Sequence, residues 1–105
     1  MSISFTYLSG RLTVYLSGEL DHHAARETMQ KITELLDEYL PRRCVLDLSG
    51  LRFMDSSGVA LIVRLSRRMR ELGGTLCVEN PVGQARRVLS SAGVDKLVHF
   101  ATIGG

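Results

Sequence analysis

A serine pair set between an acid and a glycine, Asp55-Ser56-Ser57-Gly58, is the segment of this chain whose residue types are best suited to chemistry. A hydroxyl at the mouth of a helix can take a phosphate, because first-turn amides are unpaired and the positive end of the helix dipole faces the added charge. Such a group would add up to about two negative charges to an exposed surface beside Asp55, enough to break a contact while the fold survives. The same residues also suit plain architecture, since Asp and Ser are favoured N-caps. Of the two hydroxyls, Ser57 is one step nearer the helix and better placed to fold back as a cap, and Ser56 precedes it. Capping and function both fit the segment.

No other residues assemble a reaction centre. The chain has no Gly-x-x-x-x-Gly-Lys-Ser/Thr loop and no Gly-x-Gly-x-x-Gly after a strand. Met54 and Asp55 stand two places before the serines, where a nucleophile elbow needs glycine. His22 and His23 are adjacent, so on a helix they diverge by about 100° and chelate poorly. They read as exposed first-turn residues, and His99 as a polar-face residue of a strand. Carboxylates are scattered without an acid/base pair. Cys44 and Cys77 have neither metal-ligand nor Cys-x-x-Cys spacing and read as free buried thiols in a reducing compartment. Arg64, Arg67 and Arg68 share a helix face, but that segment has no aromatic for base stacking, so a solvated face is expected rather than a nucleic-acid site. The expectation is a binding module, not an enzyme, with no cofactor and no metal.

The elements that must position these residues follow from periodicity. Residues 3–8 and 11–17 read as strands around a Ser9-Gly10 turn, and in the second Leu12, Val14 and Leu16 alternate with polar residues, the mark of a half-buried sheet. A helix over 22–39 carries Ala25, Met29, Ile32, Leu36 and Tyr39 on one stripe, with Asp21 as N-cap and Pro41 beyond its end. Residues 43–48 form a third strand, and 51–59 a junction leading into a helix over 57–72 with Val59, Ile62, Val63, Ser66 and Met69 inward. Gly73-Gly74 stops that helix. A fourth strand covers 75–79, Asn80-Pro81 opens a third helix to about 91, and 97–100 pairs as a short last strand.

Alternating strands and helices imply parallel pairing through right-handed crossovers. The strands alternate rather than running continuously apolar, so the expectation is an α/β mixed sheet of about four to five strands with helices mostly on one face. With 105 residues, 45% hydrophobic and 23% charged, the chain has the balance of one globular domain spanning 1–105. A net charge of +2 is too small to imply a polyanionic partner. The N-terminus has neither the basic start nor the apolar run of a secretory signal, so the expectation is a cytoplasmic protein with no membrane contact.

Gly18-Glu19-Leu20-Asp21-His22-His23, Asp47-Leu48-Ser49-Gly50-Leu51 and Phe53-Met54-Asp55-Ser56-Ser57-Gly58 resemble, in the same order, the bacterial anti-sigma-factor antagonists of the STAS domain class, including their sporulation branch. The resemblance extends through Gly73-Gly74 and Ser91-Ala92-Gly93 and so covers nearly the whole chain. It implies a partner-switching cycle: the unmodified protein binds an anti-sigma factor that is itself a serine kinase, and so frees a sigma factor. The kinase then phosphorylates the serine after the motif Asp, here Ser56, and a metal-dependent serine phosphatase restores it. It also implies partner contacts at Asp21, Asp55, Ser56, Ser57 and Gly58. The family commonly closes on a further helix, which Ala101-Thr102-Ile103-Gly104-Gly105 does not match. A rival of another class is a STAS-like accessory subunit of a lipid or anion transport complex. Ser56 after Asp55, with Gly18–His23, favours the antagonist.

Overall fold

A computed structural model describes residues 1–101; the closing residues 102–105 of the expected tail lie outside them. Chain order gives strand β1 (Ser2–Leu8), β2 (Arg11–Leu20), helix α1 (His22–Tyr39), β3 (Arg43–Met54), α2 (Ser56–Glu71), β4 (Thr75–Glu79), α3 (Gly83–Ser91), a single 3-10 turn (Val94–Lys96) and β5 (His99–Ala101). The sheet is mixed: β1 is antiparallel to β2, and β2 through β5 run parallel, in the spatial order β1-β2-β3-β4-β5. Right-handed crossovers between successive parallel strands in that order put the helices on one face.

That face holds the core. Leu12, Val14, Leu46 and Val78 point from the strands into Ile32 and Leu36 of α1 and into Ile62 and Leu65 of α2, all fully buried. The inward side of α2 differs from the expected stripe: Leu61 and Leu65 are buried where Val63 is only partly so. In α1, Thr28 and Leu35 join the buried face, while Met29 and Tyr39 pack at its margin. Among the described residues the opposite face of the sheet carries no helix. There Arg11 reaches Glu79 at 3.1 Å, spanning β3 above Val45, which is fully buried although it faces away from the helices.

Ser9 and Gly10 both take positive φ, 51° and 82°, as a two-residue hairpin turn requires. Cys44 pairs with Leu76 and Cys77 with Val45, so neighbouring thiols fall on opposite sides of the sheet. Only Cys44 is buried; Cys77 is half-buried, a correction to the expectation for both. Burial pushes the Cys44 thiol up to about 12.

Four element boundaries differ from the sequence reading by two residues or more. β2 continues to Leu20 and β3 to Met54, past Ser49-Gly50, because β3 accommodates two extra residues as bulges between Tyr15/Ser17 and Gly18/Glu19 of β2. At the first bulge Asp47 accepts from the Ser49 amide (3.0 Å) and hydroxyl (2.6 Å) and from Asn80 (3.2 Å). Burial pushes the Asp47 carboxyl up, yet those hydrogen bonds outweigh it and its pKa sits below the ordinary 3.8. Gly50 is required by space: a Cβ there would lie 2.7 Å from Ser17 Cβ. The third helix starts at Gly83, not Pro81, since Asn80 is left-handed (φ 55°) and Val82 is the capping residue, without a side-chain cap. Residues 94–98 form a tight turn, and the last strand starts at His99.

Candidate functional site

Leu20 and Met54 are register partners at the carboxyl ends of adjacent parallel strands, so the segments that follow them begin α1 and α2 side by side. Sheet topology thereby joins two motifs lying more than thirty residues apart in sequence. Each helix is capped by an aspartate: Asp21 Oδ1 accepts from the Ala24 amide at 2.9 Å and Asp55 Oδ1 from the Ser57 amide at 2.8 Å. The Asp55 amide donates to Leu20 O at 3.3 Å and ties the two junctions together.

The capping role therefore belongs to Asp55 and not to Ser57. Asp55 has extended backbone, and Ser56 and Ser57 are the first two helical residues of α2. The Ser57 hydroxyl turns toward α1, 3.4 Å from His22 Nδ1. The Ser56 hydroxyl points elsewhere: it is exposed and makes no hydrogen bond within the described residues. The two hydroxyls thus face different ways, as neighbours on a first helical turn must.

Gly58 follows because nothing larger fits. A Cβ on it would sit 2.6 Å from Met54 Cγ and 3.0 Å from Leu20 Cδ2, so the glycine lets α2 start directly against the strand ends. On the other side, Gln84 of α3 holds the end of β3. Its amide donates to Met54 O and accepts from Met54 N, both at 2.8 Å. In a parallel sheet one residue's N–H and C=O point to the same side. β4 has already ended opposite Asp47, so the Gln84 side chain stands where a next strand would be. The sequence reading missed this clamp, and nothing in a lone Gln in the first turn of a helix signals it.

Three hollows surround the junction. Ser56 and Asp55 line a groove of about 750 Å³ between α2 and α3, with Phe53, Val59 and Val88 as its apolar wall and Arg87 on its margin. Ser57 and His22 lie in a second hollow between α1 and α2 with Arg64. Asp21 lies in a third, polar one with His23 and Arg52. Of the expected site residues, Asp55, Ser56, Ser57 and Gly58 are thus contiguous, whereas Asp21 is a neighbour on the adjoining surface. Arg68, from the expected solvated cluster, pairs with Asp37 at 2.9 Å and Glu71 at 3.5 Å. No group of three or more His, Cys, Asp or Glu among the described residues could hold a metal. Among them too, no helix is long and apolar enough to cross a membrane.

Comparison with known proteins bears on the family and the fold. The family model for the STAS domain matches residues 3–103. An anti-sigma F factor antagonist of Lysinibacillus sphaericus is 33% identical over 91 residues, covering 87% of this chain and 78% of the relative. One of Paenibacillus polymyxa is 32% identical over 98 residues, covering 93% and 84%. The fold is similar to that of the anti-sigma factor antagonist SpoIIAA in its unphosphorylated form, with a TM-score of 0.83 and 27% identity over 97% of this chain and 90% of that one.

Proposed function

The chain belongs to the STAS domain family, and we propose that it acts there as an anti-sigma-factor antagonist whose contact with an anti-sigma factor is broken by phosphorylation of Ser56. The observation that carries this reading is the Ser56 hydroxyl, exposed and without a hydrogen bond within the described residues, at the first position of α2 and on the wall of an apolar groove. A partner covering that groove would bury Ser56. A phosphate added there would put about two negative charges into the contact, beside Asp55, while the α2 amides accommodate it without unfolding. Asp21, at the head of α1, extends the same surface. The fold needs neither hydroxyl for its cap, so modification leaves the domain standing.

The partner in this reading is an ATP-dependent serine kinase that also binds a sigma factor. A serine phosphatase reverses the modification, and the domain acts in the cytoplasm without touching nucleic acid or membrane itself. The test is capture of partners from lysate on wild-type bait, followed by incubation of wild type, Ser56→Ala and Ser57→Ala with the captured kinase and ATP. Tandem mass spectrometry should find phosphate on Ser56 in wild type and in Ser57→Ala, and none in Ser56→Ala, which stays bound. Phosphate on Ser57, or recovery of membrane transport subunits in place of a kinase, sinks the reading.

A further inference from the structure

β1 is one edge of the sheet, and its outer side pairs with no strand among the described residues. Proteins ordinarily defend such an edge with charge, proline, a bulge or shortness. β1 has none of these: it runs for seven residues, Ser2–Leu8, without a charged side chain or proline, in unbroken one-to-one register with β2. The other edge, β5, is three residues long. Large apolar side chains are exposed on the same flank, notably Phe5, Tyr7 and Leu8 on β1 and Tyr15 on its neighbour. Tyr39 of α1 stacks on Tyr7 with ring centroids 4.7 Å apart and lies 5.8 Å from Phe5, so these rings form one aromatic ledge along the edge.

We propose that β1 pairs antiparallel with β1 of a second copy, joining the two five-stranded sheets into one continuous sheet. The occupant follows from the strand's own sequence. A twofold axis through Phe5 sets Phe5 against Phe5, Ile3 against Tyr7, and Ser4 against Thr6. Apolar meets apolar on the helix side, Ser4 and Thr6 meet hydroxyl to hydroxyl on the open side with Ser2 facing Leu8 at the two ends, and no like charges oppose each other; such directly facing pairs are what stabilise an antiparallel ladder. A foreign strand would have to reproduce this alternation, whereas a second copy carries it by identity, as a twofold interface demands. β2 separates this edge from β3 and the α2–α3 groove, so Ser56 stays accessible and the pairing is independent of the switch proposed above.

Light scattering on the full, untagged chain over a dilution series tests this, read beside hydrogen exchange of the β1 amides. The expected result is twice the mass of one chain at high concentration, falling to one on dilution, with β1 exchange accelerating in step. Phe5→Lys, which sets two ammonium groups face to face on the axis, should weaken association at least about tenfold. Thr6→Lys, on the open face away from the core, sets each ammonium opposite Ser4 and diagonal to its symmetry mate, within reach of like-charge repulsion, so it should also weaken association, and it carries the test if circular dichroism shows Phe5→Lys unfolded. A single-chain mass at every concentration up to about 1 mM overturns the proposal. So does a dimer that folded Thr6→Lys leaves unchanged.

Discussion

Replacing Gln84 by alanine removes both hydrogen bonds that hold the end of β3. Met54 is fully buried, and its N–H and C=O both lean on that one side chain at 2.8 Å. A typical intramolecular hydrogen bond contributes about 0.5–1.5 kcal/mol net, and a buried group left unpaired costs about 1–3 kcal/mol. The margin of the α2–α3 groove lies close by, so water can reach part of the gap, and a total near the middle, about 2 kcal/mol, is expected for Gln84→Ala. Against a stability of about 5–15 kcal/mol the variant still folds. With a urea m-value of about 1.5 kcal/mol/M, the unfolding midpoint should fall by roughly 1.3 M at unchanged slope. Gln84→Glu keeps an acceptor for the Met54 amide but sets an oxygen against the Met54 carbonyl, and should be at least as destabilising. A midpoint within about 0.3 M of wild type for Gln84→Ala would show that the side chain does not substitute for a strand, and the reasoning would fail.

Asp55→Ala should lower stability by about 1 kcal/mol through the lost N-cap, whereas Ser57→Ala should stay within about 0.5 kcal/mol; thermal unfolding of both variants separates them, and equal losses would return the cap to Ser57. Iodoacetamide at about pH 8 should label Cys77 well before Cys44, whose thiol is buried and pushed up to about 12, and denaturant should abolish the difference in intact mass. Because the folded-state pKa of Asp47 lies below the ordinary 3.8, its contribution is present above that value and lost as the pH falls through the lower folded value. Acid titration of Asp47→Asn by circular dichroism should therefore show a shallower loss in that window, and an unchanged profile would mean that the bulge does not depend on the carboxylate.

Much of this arrangement is legible in the residues. The alternation of Leu12, Val14 and Leu16 fixes the face of β2, and Asp21 with the stripe from Ala25 to Leu36 marks α1 at its observed bounds. Helix ends written in local chemistry, such as Gly73 and Gly93 with φ of 78° and 74°, are also readable. Features set by pairing are not. Ser49-Gly50 looks like the end of a strand, but β2 holds it in the ladder as a bulge, and only tertiary register shows that β3 runs on to Met54. Asn80-Pro81 looks like a helix start, yet Asn80 takes a left-handed conformation and its amide reaches Asp47 across the strand end. Ser57 looks like a cap from its position, and Asp55 outcompetes it because its carboxylate reaches the Ser57 amide at 2.8 Å. The candidate segment Asp55–Gly58 is visible in the sequence; its groove is not, since one wall comes from α3, about thirty residues on.

The sheet's left-to-right order repeats the order of the chain, β1 to β5. Each strand therefore emerges from the ribosome to find its one earlier partner already made, and none has to wedge between two that are in place. Synthesis delivers residues at about 5–20 per second, whereas hairpins close in about 1–10 μs, so every new βα unit has time to dock before the next appears. The domain can grow outward from the β1–β2 hairpin like a fan being opened. A late blade carries Gln84, so the β3–α2 junction that presents Ser56 is locked only when α3 arrives, after β3, α2 and β4 are already in place.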